Sequence, residues 1–479
     1  MADLTDVITF VNEEYASTTL NLDPLLAVGE VTWDLLWAIF PPNILVYRDH
    51  PLIEQAQVLK LRTIKSVERM NKSKHWVLEC HIVTHDGVKF GLAYEPFSMK
   101  IDEFAGARKI KDLRIFPLKY HDAAAQIRTD AIRTGRRFAA LTHACVMETS
   151  GAAMFEKRDV SNSPHGYKFN SYGRAIIDPA GFRMSNPNIT FLPEVHMRLS
   201  PETLSEDELV ISSPVALGFC LGNKKWGEFR LALTDAPIET ESESDREIGG
   251  FAMSRLLNIK WNDRAFQQLV MGGPKRRLLH SMVKQHSSQD ESFDDIISGK
   301  GKGIVCLFSG PPGSGKTLSA EAVAEVTKRC LYSVSAGDLG VEPEDVGRRL
   351  GKILELSHQW NAVLLIDEAD VFLEQRQPKD VRRNALVSIF LQQLEYYQGI
   401  LILTTNRLAQ IDSAFESRVH LSILYHELDE AARKHIWTIF LIRLREAHPG
   451  TKPDVVSEDD LSRLAKFRMN GRQVSRGGV

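Results

Sequence analysis

Ser309-Gly310-Pro311-Pro312-Gly313-Ser314-Gly315-Lys316-Thr317-Leu318-Ser319-Ala320 sets Gly310, Gly315, Lys316 and Thr317 in the register G-x-x-x-x-G-K-[ST]. That spacing points to the phosphates of a nucleoside triphosphate. Glycines let the backbone curl until successive N–H groups face one concavity, while the lysine reaches the β/γ-phosphates and the threonine hydroxyl reaches Mg²⁺. A helix opening near Lys316 adds its positive dipole end. Gly310, Pro311, Pro312, Gly313, Ser314, Gly315, Lys316, Thr317 and Leu318 are therefore the expected nucleotide contacts, and Thr317 is an expected metal ligand. A glycine-rich turn that binds nothing is the alternative. Its flanks weigh against it: Gly303 to Phe308 is an apolar run of buried-strand type, and Leu318 to Glu325 is rich in helix formers.

The chain of 479 residues is long enough for two or three domains, each with its own core. Its 43% hydrophobic and 25% charged residues are those of an ordinary globular protein, and a net charge of −3 gives no overall pull toward nucleic acid or an acidic membrane. No apolar run approaches the roughly 20 residues of a membrane-spanning helix, and the start, MADLTDVITFVNEEY, has no basic region leading into an apolar one. The expectation is an intracellular soluble protein, cytoplasmic by default, with no membrane span. The five cysteines are odd in number, widely spaced and set among apolar neighbours, as expected of reduced core thiols. Cys80-His81 and His143-x-Cys145 lack a second pair at zinc-site spacing.

Pro237 to Glu247 is acidic, serine-bearing and without apolar periodicity, and reads as part of a solvated linker over 237–250. Residues 1–236 before it form an expected α+β domain of unassigned role. Helical patterns run over Asp6 to Tyr15 and Thr32 to Phe40. Trp76 to Val83 and Val88 to Tyr94, joined through Asp86-Gly87, read as a β-hairpin, with further strands at Leu113 to Leu118 and Gly173 to Ile177. Residues 251–290 are expected to be a helical connector. Its Lys275-Arg276-Arg277 is better read as a solvated helix face than as a nucleic-acid patch. Over 291–426 strand and helix patterns alternate, with near-continuous aliphatic strands of the kind buried on both faces of a parallel sheet. The ligand of such a sheet lies at the carboxyl ends of its strands.

One of those strands, Val363-Leu364-Leu365-Ile366, runs directly into Asp367-Glu368-Ala369-Asp370. Carboxylates at the end of a buried strand are costly unless a cation meets them. A Mg²⁺ ion shared by Thr317 and the triphosphate answers that need, with Asp367 fixing it. Glu368 is then placed to take a proton from the water that attacks the γ-phosphate. For Asp370 a structural role and a functional one stand level. The next strand, Ile400 to Leu403, ends in Thr404-Thr405-Asn406-Arg407, where the Asn406 amide can orient that water.

GPPGSGKT, LLIDEAD, LTTN and the segment Ile411 to Arg418 resemble the Walker A, Walker B, sensor 1 and second-region-of-homology motifs of AAA ATPases, over roughly residues 290 to 479. The chain looks closest to a group of uncharacterised fungal AAA ATPases that carry a long N-terminal α+β domain. The resemblance implies an α/β P-loop NTPase fold with a small α-helical lid at 427–479, ATP and Mg²⁺ as cofactors, and a homo-oligomeric ring, a hexamer by family habit, acting on an unknown protein client. It assigns Arg418 as the arginine that completes a neighbouring subunit's site, and Arg472 as the sensor 2 arginine of the lid. Catalytic work is then expected of Lys316, Glu368, Asn406 and Arg418. The sequence departs from the family in three places. It offers one arginine where D-x-A-x-x-R-x-G-R has two, with Arg407 as a possible second contributor. It lacks an aromatic residue in Ala336 to Pro343, where threading members carry one. It leaves little chain after Arg472, so an incomplete lid is expected. A nucleotide-gated scaffold with little turnover and a nucleic-acid-acting relative are the alternatives; no nucleic acid is expected as partner.

Overall fold

The alternating pattern after residue 303 becomes, in the computed structural model, a five-stranded parallel sheet. Its strands are β1 (Ile304–Ser309), β2 (Leu331–Ser335), β3 (Val363–Asp367), β4 (Ile400–Thr405) and β5 (Leu421–Leu424), in the spatial order β2-β3-β4-β1-β5. The structure describes residues 5, 9–10, 13–50, 53, 55–69, 72–95, 99–158, 164–186, 192–221, 250–287, 303–340, 342–378, 380–407, 411–447 and 457–477. Two units form, Met1–Asn258 and Ile259–Val479. Among the described residues no helix is long and apolar enough to cross a membrane.

In the second unit the helices longer than one turn, among the described residues, are α1 (Gly273–Ser287), α2 (Lys316–Thr327), α3 (Pro343–Gln359), α4 (Val381–Glu395), α5 (Glu430–Ala447), α6 (Glu458–Lys466) and α7 (Gly471–Gly477). Cys306, Phe308, Val363, Leu365, Ile400 and Ile402 share one buried cluster with Leu279 of α1 and Val323 of α2. Their neighbours Leu307, Leu364, Ile366, Leu401 and Leu403 are buried as well, as a sheet covered on both faces requires. Beside it the rings of Phe372 and Phe390 stack with centroids 5.1 Å apart, a contact worth about 0.5–1.5 kcal/mol beyond its area. Register decides what meets at the sheet's carboxyl edge. Ser309 pairs with Thr405 and Ile366 with Leu403, which sets Asp367 level with Thr404. Because β1 lies between β4 and β5 while the chain continues to β2 on the far side, a switch point opens beyond β1, the usual ligand position in such sheets.

The lid consists of α5, α6 and α7. Ser457 and Asp460 close a reciprocal capping box on α6, and the third helix, expected to be nearly absent, is present as a seven-residue α-helix, Gly471–Gly477.

The first unit is α+β. A seven-stranded antiparallel sheet carries the expected hairpin: Lys74–His85 pairs with Phe90–Tyr94 around Gly87, whose φ of +90° is open to glycine. A second, five-stranded sheet contains Cys145–Arg158, Pro164–Ile177 and Val215–Cys220. Arg48, Gln57 and Glu95 form a buried hydrogen-bonded set, with Arg48 and Glu95 2.8 Å apart.

Several expectations are corrected. Residues 251–257 are not helical connector: Gly250–Ala252 and Leu256–Leu257 are strands of the second sheet, where Phe251 and Leu256 find the apolar cover that a solvated helix would deny them. Among the described residues of that stretch, only Gly273–Ser287 is α-helical. Leu113 to Leu118 is strand only at Phe116–Pro117, and the 16-residue helix Ala124–Ala139 was not expected. The linker over 237–250 and part of the helix at Asp6 to Tyr15 lie outside the described residues, Gly250 excepted.

Candidate functional site

The loop between β1 and α2 takes its shape from glycines that no other residue replaces cheaply. Gly310 has φ +144°, and a Cβ there would stand 2.3 Å from the Tyr425 carbonyl oxygen; at Gly313, φ +74°, it would stand 2.7 Å from Asn470 Cγ. The Gly471 N–H donates to the Gly313 carbonyl at 2.9 Å, so α7 of the lid is fastened to the loop itself. Lys316 Nζ donates to the carbonyls of Gly310 and Pro311 at 2.7 and 2.9 Å and to Asn406 Oδ1 at 2.9 Å. Burial pushes the Lys316 ammonium below its ordinary range; Asp367 and Asp370 push it back up, Arg472 pushes it down, and Glu368 pushes it up.

Thr317 Oγ1 stands 3.5 Å from both oxygens of Asp367. Neighbouring oxygen ligands on one octahedral Mg²⁺ lie roughly 3 Å apart, so this hydroxyl and carboxylate are a fitting hard-oxygen pair for that ion. Asp367 is oriented by Thr404, whose hydroxyl donates to Oδ1 and also accepts from the Glu368 N–H at 3.0 Å. The Ala369 N–H donates to the Thr404 carbonyl at 2.9 Å. Held from both sides, Glu368 adopts φ +55°. A left-handed backbone at a non-glycine residue costs about 1 kcal/mol or more and persists where the surroundings enforce it, most often at working sites. The Glu368 side chain is exposed at the cavity wall.

A cavity of about 490 Å³ joins these groups, within the size range of nucleotide-sized sites. Pro312, Gly313, Ser314, Gly315, Lys316, Thr317, Leu318, Asp367, Glu368, Asn406 and Arg472 all border it. Gly310 and Pro311 do not; their carbonyls turn to Lys316 instead. Arg418 also lies off the cavity. Its guanidinium donates to the Ala414 carbonyl at 3.1 Å and sits 3.5 Å from Glu395, while Nε is buried without a partner. Arg407 borders a separate small cleft with Asp370 and Thr405.

The apolar part of the cavity lining was not legible beforehand. Leu269 and Val270 precede α1, Leu428, Ile436, Ile439 and Phe440 come from the lid, and all face the cavity. The Asn262 N–H ties this first segment to Glu325 of α2 at 2.8 Å, and Phe266 and Leu269 anchor it in the core. The hydroxyls of Thr404 and Thr405 were missed too, although two buried hydroxyls ending an aliphatic strand need partners and so announce a network.

Residues 306–426 match the ATPase family associated with various cellular activities (AAA), and residues 21–122 match a domain of unknown function (DUF7025). Spastin of Drosophila mojavensis is 27% identical over 218 residues, covering 39% of this chain and 28% of that protein. Spastin of Drosophila virilis is 28% identical over 179 residues, covering 34% and 22%. The chain thus spans about a quarter of the length of these curated relatives. The matched segment is the one that carries the glycine-rich loop, the carboxylates at the end of β3 and the amide after β4, and over these residues the chain matches the AAA family of ATPases.

Proposed function

We propose that the cavity binds ATP with Mg²⁺ and hydrolyses its β–γ phosphoanhydride, in a homo-oligomeric ring that uses the cycle to remodel a protein client. The observation that carries this reading is the meeting of Lys316, Thr317, Asp367, Glu368 and Asn406, from the ends of three adjacent strands, around one cavity. Backbone N–H groups of the loop and Lys316 bind the phosphates. Thr317 and Asp367 hold Mg²⁺, which when bound offsets phosphate charge. Glu368 accepts a proton from the attacking water; the water oxygen bonds to the γ-phosphorus, and the bridging oxygen departs with ADP. Asn406 orients that water, and Lys316 stabilises the charge spread over the transferring group.

Phosphate release by the full chain tests the reading. Turnover is expected with Mg²⁺ and ATP and is expected to vanish when EDTA removes the metal. ATP binding without release would favour a nucleotide-gated scaffold instead, and salt-sensitive DNA binding would favour a nucleic-acid-acting protein.

The position of Arg418 away from its own cavity fits a role in a neighbouring subunit's site, where it would neutralise charge on the transferring phosphate. Arg418→Ala is expected to bind ATP, to be inactive alone, and to depress wild-type turnover more than dilution explains when the two are co-assembled. Strictly proportional activity at every mixing ratio would exclude action across a subunit boundary.

A further inference from the structure

Asp370 follows β3 but does not border the cavity; it lies in the cleft with Leu373, Thr405 and Arg407. Its Oδ1 accepts from the Thr405 hydroxyl and from the Asn406 N–H, the latter at 3.2 Å. Thr405 Oγ1 in turn accepts from the Arg407 N–H at 3.0 Å. The pairing of β4 with β1 ends at Ser309 and Thr405, and that with β3 ends one pair earlier than Thr404. Asn406 therefore sits one residue past the sheet, where no strand supplies an acceptor for its N–H, and the Asp370 carboxylate takes that place. Thr404 makes the same kind of link to Asp367 and to the Glu368 N–H. Two consecutive threonine hydroxyls thus tie the end of β4 to Asp367, which ends β3, and to Asp370, which follows it.

We propose that Asp370 is a positioning residue of the hydrolytic site: its clamp on Thr405 and the Asn406 backbone sets where the Asn406 amide stands relative to Lys316 and the γ-phosphate end of the cavity. The inference rests on the hydrolytic reading above. A carboxylate that only began the short helix Asp370–Leu373 would make its bonds to that helix; these bonds go to the neighbouring strand. Loss of the clamp frees Asn406 to shift. Misplacement of a positioning group by about 1 Å costs roughly 100-fold in rate, while a group that meets only the γ-phosphate leaves ADP binding alone.

The test uses the full chain with Asp370→Ala, Asp370→Asn, Thr405→Val and Thr405→Ser, measuring ATP and ADP affinity beside phosphate release. Asp370→Ala and Thr405→Val are expected to leave ADP affinity within about twofold, to lower the preference for ATP over ADP by up to about tenfold, the range of one hydrogen bond, and to slow turnover roughly 10–100-fold. Asp370→Asn and Thr405→Ser keep the acceptor and the hydroxyl and are expected to restore both. An unchanged ATP-to-ADP preference, equal loss of both nucleotides, or failure of the conservative variants to restore it would overturn the proposal. If the wild type binds nucleotide but releases no phosphate, the hydrolytic reading falls while the affinity ratio still decides on the clamp.

Discussion

Glu368→Gln is expected to keep ATP binding within a few-fold of wild type and to lower turnover by about 10²–10⁴-fold, the usual share of a general base. Gln preserves side-chain volume and still accepts hydrogen bonds, but it takes no proton from water at neutral pH. The backbone that aims this side chain is built by others: the Glu368 N–H to Thr404 Oγ1 and the Ala369 N–H to the Thr404 carbonyl impose φ +55°. Because neither bond involves the carboxylate, the variant's melting temperature is expected to match wild type. Nucleotide affinity, single-turnover phosphate release and thermal melting, measured on one preparation, separate the outcomes. Turnover equal to wild type would remove Glu368 from the mechanism, and loss of binding together with turnover would make it a structural residue.

Lys316→Ala is expected to weaken ATP binding by roughly 10–150-fold, the value of a hydrogen bond to a charged group. Turnover at saturating ATP should fall further by about 10²–10³-fold, as for other donors that meet developing negative charge. The buried ammonium also bears on stability. Burial lowers its folded pKa below the ordinary lysine value despite the opposing pull of Asp367 and Asp370. A base whose folded pKa is depressed costs folding stability while it is charged, and the cost fades as pH rises through the folded pKa toward the unfolded one. The nucleotide-free wild type should accordingly lose less stability with rising pH over that window than Lys316→Ala does. Identical pH profiles of unfolding for the two proteins would show that burial of the charge carries no such cost. Isothermal titration with ATP and ADP reads the affinity arm directly.

How much was legible differs by the length scale of the cause. The phosphate loop and the Asp367-Glu368 strand end could be read because each is a short run whose residue types, an N–H concavity and a carboxylate after four aliphatics, imply their chemistry without a partner. The aliphatic runs ending at Phe308, Ile366 and Leu403 were legible as strands from their local apolar character. Asn406 was readable only as a member of an ordered set. Thr404 and Thr405 looked like strand residues until register set them against Asp367 and Asp370. The segment around Phe251 looked helical because its strand partners, Val215–Cys220 and Cys145–Arg158, both lie far upstream of it in the chain.

The amino-acid order alone pointed to a triphosphate loop after β1 and to a candidate metal-binding carboxylate and a candidate base at the end of β3, since each of those signals depends on spacing within about ten residues. Only the tertiary structure decided that Glu368 is held in a left-handed backbone, that Asp370 turns away from the cavity to hold Asn406, that Arg418 stays off its own site, and that Leu269 and Phe440 line the same cavity as the phosphate loop. Each of those outcomes depends on strand register and on helices packing across the sheet. These are set by the burial of side chains far apart in the chain, so no local stretch of sequence contains them.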